Sequence, residues 1–342
     1  MTKINPALKL SLIGLVILGL TIIFLMSFQD SLFQNDIYSL TTLQPIKLLL
    51  NGKTFLLPNE DYNRLLNISF NFSIINQVCH ESNPVLVLTV VHSAPLNFNK
   101  RQAIRDTWGQ VDETKKVVFI IGDPSSLEQQ KKIEAESALF GDIVQGNFID
   151  TYRNLTYKHV TVLKYFVYHC PHAKFLLKTD DDVFINWPSM KNFLTYDLCP
   201  SGDRQTIYCI TRTDSHVDRN ESKWVVTFEE YPEEVYPPYC LGYVLIYTPE
   251  VVVALYNEAQ KSNSFLWVDD AFVTGILFKK LNYTHTDIES LVLSGESLDA
   301  INKDFTNVTI NPFLFRLMDK TEMQTVWKYV STHEPPRNIF TL

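Results

Sequence analysis

Along residues 85–93, VLVLTVVHS, apolar and β-branched side chains follow one another without alternation. Such a run predicts a strand covered on both faces. The pattern returns at 117–123 (VVFIIGD) and 174–179 (KFLLKT). Helical patterns fill the gaps. Residues 99–108 predict a basic helix with Arg101 and Arg105 on one face. EQQKKIEAESALF predicts a second helix, capped by Ser125 or Ser126 and ended by Gly141. Residues 154–169 predict a third, with Leu155, Val162, Leu163 and Phe166 among its apolar positions. Pro188 is placed to open the next helix at its first position. Further on, 206–210, 223–228 and 243–248 read as strands. Pro249 starts a helix, and Asp269-Asp270 stand at the mouth of another, AFVTGILFKKL.

Strand and helix in alternation predict an α/β fold, an open and mostly parallel sheet covered by helices. Ligands of such sheets bind beyond the carboxyl ends of the strands. No G-x-G-x-x-G or G-x-x-x-x-G-K-[ST] occurs, so neither a dinucleotide fingerprint nor a P-loop is indicated.

The region before the sheet is different. Residues 10–28, LSLIGLVILGLTIIFLMSF, carry no charge and at ~1.5 Å per residue span about 30 Å, enough to cross a bilayer core. Lys3 and Lys9 precede this run and Asp30 is the first acidic residue after it. The positive-inside rule then puts residues 1–9 in the cytosol and the rest in the lumen. No small-x-small site follows the run, which favours an uncleaved signal anchor over a signal peptide. Residues 29–83 lack periodicity and read as a luminal stem, with the folded domain at 84–342. Sequons at Asn67, Asn71, Asn154, Asn220, Asn282 and Asn307 agree with a luminal glycoprotein.

Composition adds exclusions. The chain of 342 residues is 46% hydrophobic, carries a net charge of −8 and has no long basic run, which argues against nucleic acid as a partner. None of the 5 cysteines forms a C-x-x-C pair, so zinc or thioredoxin-type chemistry is not indicated. Two disulfides and one free thiol are the expectation in an oxidising lumen, with the pairing open.

The chemistry concentrates in Asp180-Asp181-Asp182, at the end of the third apolar strand. Burying adjacent carboxylates unpaired is costly, so they form either a solvated acidic turn or a cation site. On an extended backbone Asp180 and Asp182 project to the same side, and two such carboxylates suit Mg²⁺ or Mn²⁺. Asp270 is either part of a helix N-terminal cap or, kept ionised by the helix dipole, a general base. Arg101 and Arg105 serve either an ordinary helix face or a phosphate or uracil carbonyl. Tyr231, Tyr236 and Tyr239, among prolines, form either a rigid surface loop or a sugar-stacking surface.

These motifs also occur together, in order, in a known family. RQAIRDTWG, VVFIIGD, NFIDTYRNLTYKH, KFLLKTDDDVFIN, YPPYCLG and VDDAFVTGI resemble stretches of the β-1,3-glycosyltransferases of glycosyltransferase family 31, the β-1,3-galactosyltransferase and β-1,3-N-acetylglucosaminyltransferase group. The resemblance implies a GT-A type domain that binds a UDP-sugar and Mn²⁺ or Mg²⁺. It implies a Golgi enzyme, single-pass type II, acting on an acceptor glycan of a glycoprotein or glycolipid. By the family pattern Asp182 contacts the metal, with Asp180 sharing it, and Asp180 and Asp181 lie near the ribose and sugar. Arg101, Arg105, Trp108 and Gly242 shape the nucleotide-sugar site, and Asp270 is the catalytic base of an inverting transfer. Two departures stand out. Of the family's C-S-G-x-G glycines only Gly242 remains, and residues 313–327 lack the usual C-terminal histidine, with Arg316 near its place. A catalytically weak relative acting as a luminal glycan-binding or chaperone-like subunit is the alternative. An acidic Ca²⁺-binding adhesion protein would explain the anchor and sequons but not the ordered motifs.

Overall fold

The computed structural model describes residues 45–50, 52–60, 64–65, 68–69, 71–79, 85–199, 205–220, 222–294, 313–315 and 320–333. The expected anchor at 10–28, Asn67, Asn307 and Arg316 lie outside the described residues. Among the described residues no helix is long and apolar enough to cross a membrane. The chain divides into two units, residues 1–48 with 56–62, and residues 49–55 with 63–342. Of the first, only 45–48 and 56–60 are described. The second holds the sheet.

An 8-stranded sheet organises this unit. In chain order its strands are β1 (Phe72–Ile74), β2 (Val87–His92), β3 (Lys115–Asp123), β4 (Ile143–Ile149), β5 (Phe175–Asp180), β6 (Thr206–Arg212), β7 (Tyr239–Tyr247) and β8 (Thr284–Asp287). Their spatial order is β8-β6-β7-β5-β2-β3-β4-β1. The centre is parallel: β2 pairs with β3 and β5, and β3 with β4. β7 runs antiparallel to β5 and β6, and β1 antiparallel to β4. β8 is parallel to β6. Every residue of β2 is buried, as its unbroken apolar pattern predicts.

The connecting helices are α1 (Phe98–Arg105), α2 (Leu127–Phe140), α3 (Leu155–His169), α4 (Trp187–Asn192) and α5 (Pro249–Lys261). Ser126 caps α2 by accepting from Gln129 N, and Gly141 ends it at φ 65°, a left-handed conformation suited to glycine. Asn186 caps α4, and Pro188 falls just inside it rather than at its start.

Three expectations are corrected. Residues 223–228 are not a strand: Val226 N bonds Asp218 O, and Val226 O accepts from Arg219, so neither group is left for a ladder. The sheet also begins before Pro84, because Phe72–Ile74 pairs along β4 and Cys79 is joined to Cys170 at the end of α3. The short pairing segment is too brief to show periodicity. The third correction concerns the aspartates and belongs to the site. The cysteines do pair as two disulfides, Cys79–Cys170 and Cys209–Cys240, leaving Cys199 free.

Candidate active site

The site forms where β2, β5 and β7 meet. β5 ends at Asp180, level with His92 of β2. Asp181 N donates to His92 O at 3.0 Å, the last bond of the parallel ladder, and the chain then turns at 181–182 instead of continuing extended. The expected same-side projection of Asp180 and Asp182 along a strand therefore does not hold.

The turn resolves the repulsion among three carboxylates by separating their surroundings. Asp181 faces the protein: its Oδ2 accepts from Ser93 Oγ at 2.7 Å and Asn97 Nδ2 at 2.8 Å, and its Oδ1 from Lys100 Nζ at 2.8 Å. Both oxygens are committed to the wall, so the structure gives Asp181 a bracing task where the sequence placed it near the ribose and sugar. Asp180 keeps 36% of its side chain exposed and is held by Lys178 Nζ at 2.8 Å. Asp182 is partly buried, and burial followed by the charge of Asp180 raises its pKa above the ordinary carboxylate value. Asp180 and Asp182 thus supply hard oxygen donors at a partly open strand end. Carboxylate oxygens are the donor type that hard divalent cations take.

Lys178 joins this end to the second carboxylate pair. Its side chain is 2% exposed and donates to Asp180 Oδ1 and, at 2.6 Å, to Gly242 O on β7. Burial alone would lower its pKa, but the charges of Asp180, Asp269 and Asp270 outweigh that and raise it. Gly242 N in turn donates to Asp270 Oδ2 at 2.9 Å. Asp180 and Asp270 are therefore linked through Lys178 and one glycine.

Asp270 begins a wide, π-type helix, Asp270–Leu277, a geometry that often marks functional positions. Burial, then the neighbouring Asp269 charge, push its pKa well above the usual carboxylate range, against the pull of Lys178. Asp269 behaves oppositely. Burial would raise its pKa, but the hydrogen bond from His159 and the charge of Lys178 hold it down. An ionised Asp269 can only accept, so His159 Nδ1–H donates to it across 2.9 Å. Burial keeps His159 neutral by lowering its pKa, so Nε2 accepts from Tyr247 O–H at 2.8 Å. His159, Asp269 and Asp270 place ligand-type atoms within 4.8 Å of one another. With both His159 nitrogens occupied, the trio is a hydrogen-bonded support, not a second metal site.

The remaining sequence-nominated residues sort into scaffold. Arg101 is fully buried and forks onto Glu136 at 2.8 and 2.6 Å, with further bonds to Ser93 Oγ, Ala94 O and Pro95 O. Arg105 bonds Glu136 and Asp142 and lies 4.0 Å over the Phe140 ring. Trp108 is 1% exposed. Arg105 Nη1 and Trp108 Nε1 are buried without a hydrogen-bond partner among the described residues; Arg101 fixes the loop whose Ser93 and Asn97 hold Asp181. Tyr236 is buried against Tyr231 and Tyr239, which the tyrosine-rich composition could not show. His333, among the described C-terminal residues, stacks on Tyr329 at 4.1 Å.

Sequence reasoning missed Lys178, His159 and His92. Lys178 had a usable signal, a lysine inside an otherwise apolar strand, which needs buried partners. His92 is buried with Nε2 unbonded among the described residues, and burial followed by the charges of Lys178, His159 and Lys158 drives its pKa well down.

Comparison with known proteins adds an independent finding. The family model described as Galactosyltransferase matches residues 99–289, which include Asp180, Asp182, Gly242 and Asp270. The chain is 30% identical over 275 residues to a lactosylceramide 1,3-N-acetyl-beta-D-glucosaminyltransferase of Mus musculus, covering 76% of this chain and 69% of that one. It is 34% identical over 219 residues to beta-1,3-galactosyltransferase 5 of Homo sapiens, covering 62% and 68%. Among solved structures, the galactosyltransferase LgtC with donor and acceptor sugar analogs aligns with 73% of this chain and 98% of its own at 10% identity, with a TM-score of 0.35.

Proposed function

The chain belongs to the galactosyltransferase family, and from that premise we propose that it is an inverting β-1,3-glycosyltransferase with a GT-A type domain. It moves galactose or an N-acetylhexosamine from a UDP-sugar to a hydroxyl of a glycan. The observation that carries this reading is the short link Asp180–Lys178–Gly242–Asp270, which sets a donor-side carboxylate beside a base.

The reaction assigns work to each group. The acceptor hydroxyl oxygen attacks the anomeric carbon from the face opposite UDP, its O–H proton passes to Asp270, and the bond from the anomeric carbon to the diphosphate oxygen breaks. One displacement inverts an α-linked donor to a β-linked product. A base of raised pKa lies nearer the operating pH, which favours proton transfer in the transition state. Gly242 N–H fixes which Asp270 oxygen is free, and Lys178 offsets the charge of three carboxylates without entering the reaction. Asp182 and Asp180 would hold Mn²⁺ or Mg²⁺, which when bound neutralises charge on the leaving diphosphate.

The apolar run at 10–28 with Lys3 and Lys9 before it supports a type II anchor in the Golgi membrane. The disulfides Cys79–Cys170 and Cys209–Cys240 suit a lumen of that kind.

The test is binding of UDP to the full-length chain by calorimetry, with Mn²⁺ and with a chelator. Mn²⁺ should strengthen binding in the wild type and have little effect in Asp182→Asn. A wild type that does not bind UDP under either condition refutes the enzyme and favours the luminal binding subunit.

A further inference from the structure

The site built from the donor side leaves the acceptor without a surface. One stands close by among the described residues between β6 and β7. Arg219 braces that loop by donating to Val226 O, Tyr231 O and Glu233 O at 2.7 to 2.8 Å. It presents Trp224, 38% exposed, stacked 5.9 Å from Trp267 with the ring planes 5° apart. Arg153 lies 4.5 Å from the centre of the Trp267 ring. Tyr152, 55% exposed, meets Trp224 edge to face at 5.6 Å. The arrangement is an aromatic step whose outer face carries the exposed Lys223, with Nζ 5.0 Å over the Trp224 ring and 5.5 Å over Tyr152, while Arg153 lies over Trp267 and is ion-paired to Glu230.

Its position relative to Asp270 is set by helix α3. Arg153, just before the helix, reaches Trp267; Thr156 Oγ1 donates to Leu266 O at 2.5 Å; His159 bonds Asp269. Six residues separate Arg153 from His159, so the step lies about 10 Å along the chain direction of the helix from the level of Asp269, at ~1.5 Å per residue. The loop that carries Trp267 runs directly into Asp269-Asp270.

We infer that Trp224, with Tyr152, is an acceptor subsite that stacks a sugar ring of the acceptor beyond the ring whose hydroxyl reacts. A pyranose has an apolar C–H face that would take the place of the exposed Lys223 over the indole, and hydroxyls that the displaced ammonium can bond. The continuity of the step with the Asp270 loop selects an oligosaccharide as occupant. This inference rests on the proposed glycosyl transfer and adds that the acceptor has at least two rings.

The experiment is a glycan array read with full-length chain and UDP, comparing wild type, Trp224→Ala and Trp224→Phe, with UDP affinity measured on the same preparations. The wild type should favour glycans of two or more rings over single-ring glycosides. Trp224→Ala should weaken those glycans about 3- to 10-fold, the range of an aromatic contact, Trp224→Phe should keep most of the binding, and UDP affinity should not change. Equal glycan binding by wild type and Trp224→Ala overturns the subsite. So does a parallel loss of UDP affinity, which would make Trp224 a scaffold residue, and so does a wild type with no preference for longer glycans. If the wild type binds neither glycan nor UDP, the glycosyltransferase reading falls as well; if it binds UDP alone, only the subsite falls.

Discussion

Gly242→Ala should disable the enzyme without removing any functional group. A Cβ on Gly242 would stand 2.0 Å from Asp270 Oδ1 and 2.7 Å from its Cγ. Ordinary contact begins at 3.4 Å, so the carboxylate oxygen must retreat by about 1.4 Å (3.4 minus 2.0). Two routes exist. Asp270 can swing away and lose the bond from Gly242 N, or β7 can back off and lose the bond from Lys178 to Gly242 O. Either route displaces the base, and a misplacement of ~1 Å at a reacting group costs on the order of 100-fold in rate. The strain itself costs about 1–3 kcal/mol of stability, as overpacking does. We therefore expect kcat for sugar transfer to fall about 100-fold or more while UDP affinity stays at the wild-type value and the protein remains folded. Transfer of radiolabelled sugar, calorimetry with UDP and thermal melting check the three statements. A folded Gly242→Ala chain with wild-type kcat would refute the assignment of Asp270 and its glycine.

Lys178→Met should destabilise the chain by about 3–5 kcal/mol, because it leaves Asp180, Asp269 and Asp270 without their shared cation. The deficit should shrink as pH falls through the raised pKa of Asp270, since protonation removes the uncompensated charge; melts from neutral to acid pH check it. Arg101→Ala should cost about 1.5–3 kcal/mol by removing the fork onto Glu136, which keeps Arg105, yet UDP affinity per folded molecule should fall little, because the guanidinium faces Glu136 and the 93–95 loop. Loss of UDP affinity with an unchanged melting temperature would instead make Arg101 a nucleotide ligand. The base must be ionised, so kcat/KM should decline on the acid side at a pH well above the ordinary carboxylate value, in the direction of the Asp270 shift. A profile flat down to pH 4–5, the region of an ordinary carboxylate, would show that Asp270 does not titrate in the reaction.

The central sheet was legible because β2, β3 and β5 are largely buried on both faces and carry dense apolar runs. The site's location followed from Asp180 at a strand's carboxyl end. The division of labour within the triplet was not legible. It depends on Ser93, Asn97 and Lys100, far away in sequence, which draw Asp181 inward. Lys178 and His159 acquire meaning only when β7 and the Asp269 loop pack beside them, and periodicity reports which face is buried, not against what. The surroundings of Arg101 were not legible for the same reason. Its partner Glu136 comes from α2, and a charged pair formed by tertiary contact leaves no trace in local spacing. Residues 223–228 show the converse: an apolar segment whose backbone groups are taken by Arg219 and Asp218 does not become a strand.

The most direct measurement is the structure of the product. Full-length wild type and Asp270→Asn should be incubated with UDP-galactose and UDP-N-acetylglucosamine, Mn²⁺ and an acceptor glycan panel, and the products analysed by NMR. The account predicts a single β-1,3-linked sugar from the wild type, and from Asp270→Asn no transfer while UDP binding persists. A product of retained α configuration, or undiminished transfer by Asp270→Asn, would contradict it.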